Sequence, residues 1–207
     1  PFRGSFRLDG ENVGELVRWL GHDAIIFPGN SGGPLVDIKG RIIGINEVGI
    51  GSLGGAIPSN LAKKIADELT EHGFITRSWT GLECQPVFEE QKKGIIIAGI
   101  IKDSPGEKAG FLPGDRIVKY NGHRVDAQIP EDLPLFNQLS SSVKPGGKIK
   151  IDGFRNGIKQ TWHLSAKHRE AAFSKEEELN SWGITVRNFT LMSSLEARRE
   201  NSDGVQV

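Results

Sequence analysis

Ser31 lies in the run Phe27, Pro28, Gly29, Asn30, Ser31, Gly32, Gly33, Pro34, Leu35. Glycine alone enters positive φ freely and leaves no Cβ between main chain and ligand, so a serine this closely flanked by glycines sits on backbone built for close approach. A nucleophilic serine needs that. Attack on a carbonyl puts negative charge on its oxygen, and backbone N–H groups converging beside the nucleophile hold that charge at least cost. Here Gly29 and Ser31 would supply them, with Asn30 shaping the loop between.

Gly29, Ser31 and Gly33 also fit the GxSxG elbow of α/β-hydrolases, which must turn from a strand directly into a helix. Ser31 is succeeded instead by Gly32, Gly33, Pro34, the strand-like Leu35 to Asp37, a turn through Gly40 and a second β-branched run from Arg41 to Ile45. That is a hairpin, and it excludes the elbow. The loop resembles the nucleophile loop of trypsin-like serine proteases. Gly40 to Asn46, and then Gly55, Ala56, Ile57, Pro58, Ser59 and Asn60, resemble the closing strands of the HtrA (Deg-type) proteases.

The 207 residues leave room for more than one domain and a sizeable core. Lysine plus arginine equals aspartate plus glutamate at 26 each. This balance gives no footprint for nucleic acid or an anionic membrane. Cys84 has no cysteine partner and no metal-ligand neighbours, so it reads as a small apolar core residue, and no metal or cofactor is expected. The longest apolar run, Ile95 to Ile101, is far short of a membrane span, and no signal peptide is visible. A chain starting at Pro1 and stopping in strand-like sequence reads as a piece of a longer protein.

The expected fold is mainly β with a few helices. Residues 1–76 resemble the C-terminal β-barrel portion of a trypsin-like double barrel, 77–166 a PDZ domain, 167–181 a solvated linker with possible helical character, and 182–207 the opening of a second PDZ-like domain. By resemblance, Ile26 and Ile45 line the pocket for the residue before the cleaved bond; both are aliphatic, which implies small or medium apolar residues there. Leu61, Ile65 and Leu69 predict an amphipathic helix that Gly73 closes. Ser104 to Ile117 resembles the PDZ run SPAxxAGLxxGDxI, and Asn121 to Val125 completes it. The resemblance implies a carboxylate-binding loop at Trp79, Thr80 and Gly81, an edge strand from Leu82 to Val87, and a facing helix carrying Leu135, Phe136 and Leu139. An extended peptide would then add to the sheet edge.

A serine at its free pKa needs an adjacent base, normally a histidine oriented by an aspartate. In trypsin-like enzymes both lie in the first barrel, upstream of this chain. His22, His72, His123, His163 and His168 read as structural or surface residues. Loss of the histidine from such a triad costs about 10⁶ in turnover, so the chain alone is expected to be inert. The resemblance implies a parent serine endopeptidase of protein quality control. It would act on unfolded proteins and peptide C-termini, assemble on trimers and work in the periplasm or cell envelope. Asn30, where digestive proteases carry aspartate, implies no zymogen salt bridge. The alternative is a PDZ peptide-binding or chaperone-like protein whose protease domain is inactive.

Overall fold

The computed structural model describes residues 6–8, 11–50, 53–89, 92–171, 174–199 and 201–207. The chain divides into two compact units, 1–168 and 169–207. In the first, β1 (Phe6–Leu8) and β2 (Glu11–Val13) form a hairpin. Next comes a four-stranded antiparallel sheet of β3 (Leu20–His22), β4 (Pro34–Val36), β5 (Ile42–Ile50) and β6 (Leu53–Pro58), in the spatial order β3-β6-β5-β4. The β4–β5 hairpin turns at Gly40, whose φ of +74° suits a residue without Cβ. Asp37 holds that turn by accepting from the Lys39 and Arg41 N–H groups and pairing with the Arg41 guanidinium.

The spacing of Leu61, Ile65 and Leu69 becomes α1 (Ser59–His72), which packs on β5 and β6. Gly73 ends it in the left-handed region, donating its N–H to Leu69 O. No side chain caps its start; the chain enters from Pro58.

The rest of the first unit is a six-stranded antiparallel sheet around the main core. Its strands are β8 (Leu82–Pro86), β9 (Ile95–Ile100), β10 (Arg116–Tyr120), β11 (His123–Arg124), β12 (Lys148–Arg155) and β13 (Ile158–Ser165), in the order β13-β12-β10-β9-β8, with β11 on β10. A separate small ladder joins β7 (Ser78–Trp79) to β14 (Lys167–His168). The Asn156–Gly157 turn has φ of +51° and +80°, the left-handed pair that a two-residue hairpin requires. Ile95, Ile97, Ile117, Tyr120, Ile149 and Ile151 are fully buried, with Trp162 stacked on Phe111 at 4.5 Å. Two helices close this core. The short α2 (Pro105–Lys108) is capped by Ser104 Oγ accepting from Glu107 N–H, and α3 (Leu133–Ser141) sets Phe136 edge-on to Tyr120.

One buried ion pair fixes the β10–β12 end. Asp115, 1% exposed, accepts from Arg155 Nε and Nη2 at 2.7 Å each and from the Leu112 N–H. Arg155 also donates to Gly110 O, so its fork is spent on two partners.

The second unit is a three-stranded sheet, β15 (Glu177–Leu179), β16 (Ile184–Asn188) and β17 (Val205–Gln206), with α4 (Leu191–Glu196) capped by Thr190. Strand structure at 167–168 and 177–179 replaces the helical character expected of that stretch. Each of the two short segments is recruited by a ladder partner, Ser78–Trp79 and Ile184–Val186, which overrides local propensity.

Candidate active site and peptide groove

The Ser31 loop is held from two sides. Asn30 N–H donates to Phe27 O and Gly33 N–H to Asn30 O, while Gly32 N–H donates to Asn46 O at 2.7 Å and Asn46 N–H to Gly33 O at 2.8 Å. The turn is thus pinned onto β5. Gly29 at φ +99° and Gly32 at φ +85° take backbone conformations a larger residue would resist. Neither the Gly29 nor the Ser31 N–H has a protein acceptor among the described residues. These two unspent donors stand on either side of Asn30, next to the serine hydroxyl. Ser31 Oγ itself donates to Glu47 O at 2.9 Å.

Glu47 is where β5 departs from regular pairing: Asn46 faces Ala56 and Val48 faces Gly55, leaving Glu47 as the extra residue of a β-bulge. Sequence inspection missed it because a bulge is a register mismatch between two strands and leaves no mark in one of them. Gly49 was missed as well. A Cβ there would stand 2.8 Å from Ile26 O and 3.2 Å from Ile26 Cβ, so the glycine lets Ile26 lie directly against β5. Ile26 and Ile45 are both half-buried; Ile45 pairs with Pro34 and Ile57, one residue before the Asn46 tether. His22 serves no nucleophile. Its ring lies over Gly54, where any Cβ would overlap it, and both ring nitrogens are buried without a hydrogen-bond partner among the described residues.

In the larger sheet, Gly81 has φ +73° and its carbonyl accepts from Ile101 N–H, while Thr80 O accepts from Gly106 N–H. Carbonyls turned inward leave the Thr80 and Gly81 N–H groups without protein acceptors among the described residues. These are a second pair of unspent donors at a positive-φ glycine. Trp79 is half-buried in the β7–β14 ladder, and Ser78 Oγ donates to Ser140 O, tying the loop to α3. Leu82, Cys84, Leu133 and Leu139 are partly buried against the core. Leu135 is 51% exposed and points away from the buried Pro134, Phe136 and Ser141. Burial and the neighbouring Glu83 push the Cys84 thiol up to about 12.

Among the described residues no cluster of three or more His, Cys, Asp or Glu could hold a metal, and no helix is long and apolar enough to cross a membrane. The segment before β3 also touches the groove helix. Asn137 and Gln138 side-chain amides donate to Glu15 O and Leu16 O, and Arg18 lies 3.5 Å from Asp132.

A PDZ domain model matches residues 96–136. A probable periplasmic serine endoprotease, DegP-like, from Chlamydia pneumoniae is 32% identical over 195 residues, 86% of this chain and 38% of its own length. A protein of the same description from Marinomonas is 31% identical over 184 residues, 82% of this chain and 39% of its own. The solved HtrA-type protease AlgW with tripeptide superposes with a TM-score of 0.61 at 34% identity, covering 74% of this chain and 54% of that one. The chain is similar to HtrA-type serine proteases over most of its length. It spans about two fifths of the length of these curated relatives. The match runs through both the Ser31 sheet and the larger sheet beside Thr80 and Gly81, as in a barrel half followed by a PDZ domain.

Proposed function

We propose that the full-length protein is a serine endopeptidase of the HtrA type, with Ser31 as nucleophile, the Gly29 and Ser31 N–H groups as oxyanion donors and Asn30 holding the loop between them. Its histidine and aspartate come from residues upstream of this chain, and the chain alone is inert. Ile26, seated on Gly49, and Ile45 form an uncharged pocket that takes small or medium aliphatic side chains before the cleaved bond. Residues 1–76 form the barrel portion, 77–166 the PDZ domain, 167–181 the connection and 182–207 the start of a second PDZ-like domain. The free Thr80 and Gly81 N–H groups hold a peptide's terminal carboxylate beside Trp79, Leu82 and Leu139, with Leu135 at the exposed rim. The protein works in the periplasm or cell envelope, as the names of its relatives state for them, on unfolded chains and as a trimer-based homo-oligomer.

The observation that carries this reading is the pair of unspent N–H donors flanking a serine hydroxyl on a loop pinned to β5. Fluorophosphonate labelling of the full-length protein tests it, with Ser31→Ala as control and mass spectrometry to locate the adduct. An adduct on Ser31 is expected; its absence sinks the reading. One observation favours a second: the Ser31 hydroxyl is committed to Glu47 O rather than to a base. A protein that binds C-terminal peptides but never labels is a peptide-binding member with a resting protease domain.

A further inference from the structure

We propose that Glu47 determines specificity by drawing a lysine or arginine of the substrate to a position flanking the scissile bond. This inference rests on the proteolytic reading of Ser31. The Glu47 peptide unit is in contact with the nucleophile, because its carbonyl accepts from Ser31 Oγ. Its side chain therefore springs from the Cα bonded to the very carbonyl that the nucleophile touches. The bulge places an acidic residue where regular pairing to β6 would have continued.

Two features make that carboxylate available to a substrate. On the nucleophile side, β4 pairs with β5 no further than Pro34 opposite Ile45, and the main-chain bonds of the Ser31 loop reach Asn46, leaving only the Ser31 hydroxyl on Glu47 O. From Glu47 to Ile50 that edge of β5 has no strand partner among the described residues. An unpaired edge beside a nucleophile is where an extended peptide adds, main chain to main chain, carrying its side chains past Glu47. The charge is also unmatched. Among the described residues Glu47 has no ion pair or side-chain hydrogen bond, whereas Asp37 and Arg41, in the β4–β5 hairpin, neutralise each other at its far end.

Its neighbours along β5, Ile45, Asn46, Val48, Gly49 and Ile50, are all uncharged. Val48 is buried and Ile26 lies against Gly49. The aliphatic pocket and the carboxylate then do separate work: Ile26 receives the residue before the cut, and Glu47 attracts a cation one to three residues away. At a separation of about 6 Å in a half-solvated site such a pair is worth on the order of ten-fold in kcat/KM.

The test uses full-length protein and C-terminally amidated peptides, which offer no carboxylate to Thr80 and Gly81. Matched peptides carry lysine or glutamine at each position flanking an aliphatic cleavage residue. The lysine-to-glutamine ratio of kcat/KM is expected near ten for the wild type at low salt. It should fall towards one in Glu47→Gln, invert in Glu47→Lys, and shrink as salt is raised to about 0.5 M, as Debye screening of an exposed pair requires. A ratio near one in the wild type, or one that survives Glu47→Gln, overturns the proposal.

Fluorophosphonate labelling of Ser31 separates this outcome from failure of the protease reading. Should Ser31 not label, binding of the same amidated peptides to Ser31→Ala and to Ser31→Ala/Glu47→Gln, by fluorescence anisotropy, replaces cleavage as the readout. Loss of the lysine preference in the double variant supports the role of Glu47, and equal preferences refute it.

Discussion

Replacing Gly81 by alanine separates two costs that coincide at the Thr80–Gly81 loop. The first is conformational: φ is +73°, and a residue with a Cβ held there loses about 1–2 kcal/mol. The second is steric. The new Cβ would overlap the Cβ of Ser104, stand 2.5 Å from Ser104 Oγ and 3.2 Å from the Trp79 ring. Ser104 is wholly buried and caps α2, so it has nowhere to go, and overpacking of this kind costs about 1–3 kcal/mol. Together Gly81→Ala should destabilise the larger sheet by about 2–5 kcal/mol. The chain has two compact units, so the assay is hydrogen exchange by mass spectrometry on peptides spanning β9 and β10 rather than one global melt. Exchange there should accelerate at least about 30-fold, since each 1.4 kcal/mol is a factor of ten. Ser104→Gly provides the internal control. Alone it loses the α2 cap, worth about 1 kcal/mol; combined with Gly81→Ala it should recover the steric share and leave the backbone share. A Gly81→Ala protein with acceleration below about five-fold, or no coupling between the two sites, refutes the overlap as the cause. Binding of peptides with a free C-terminus should weaken in step, and amidated peptides should show no such change.

Two further outcomes concern the same sheet. Cys84 should resist iodoacetamide at pH 8: with its thiol raised to about 12, reaction should be about 10³-fold slower than for an ordinary thiol and recover in urea. A native rate within about ten-fold of free cysteine would place the thiol in solvent rather than against the core. Asp126 supplies a pH test. Burial pushes its carboxyl up, but the Gly94 N–H, the Gln128 amide and the Lys93 ammonium outweigh it and hold the carboxyl below the usual range. A depressed folded-state pKa contributes stability above the unfolded value of about 3.9, and that contribution is lost as pH falls through the folded value. The urea midpoint of the wild type should therefore exceed that of Asp126→Asn at pH 6 and converge with it near pH 3. A gap unchanged by pH would count against the carboxylate.

The parts readable from the sequence are those whose cause is local. The Ser31 glycines dictate positive φ at Gly29 and Gly32, Gly73 stops α1, Ser104 caps α2, and Asn156–Gly157 turns the last hairpin. Each depends on a few neighbouring residues. The features hidden from sequence inspection are set by pairing across the sheet. The bulge at Glu47 exists because β5 and β6 fall out of register, and Gly49 matters because Ile26 arrives from another segment. Leu135 and Leu139 share helical spacing, yet only Leu139 packs inward. Side-chain periodicity finds a helix but does not choose between adjacent faces when the helix caps one end of a sheet.

The two nests share a physical logic under the proposed function. Each would receive an anion, the oxyanion of a tetrahedral intermediate or a peptide's terminal carboxylate, on main-chain N–H groups beside a positive-φ glycine rather than on lysine or arginine. A cation at either place would bind anions of any shape and would draw the charge of the other site's ligand. A bound anion keeps its own charge, but across more than a Debye length of solvent that charge is largely screened, so binding at one nest acts weakly on the field at the other. Any coupling between them must then be mechanical. The helix α3 offers a route for it: its Ser140 O accepts from Ser78 Oγ just before Trp79, its Asn137 and Gln138 amides donate to Glu15 O and Leu16 O, and Asp132 at its start lies 3.5 Å from Arg18. From Leu16 the chain runs through β3 into the Ser31 loop. Under the proposed function, a shift of α3 on peptide binding would therefore have only the residues from Leu16 to Gly29 between it and the Ser31 loop.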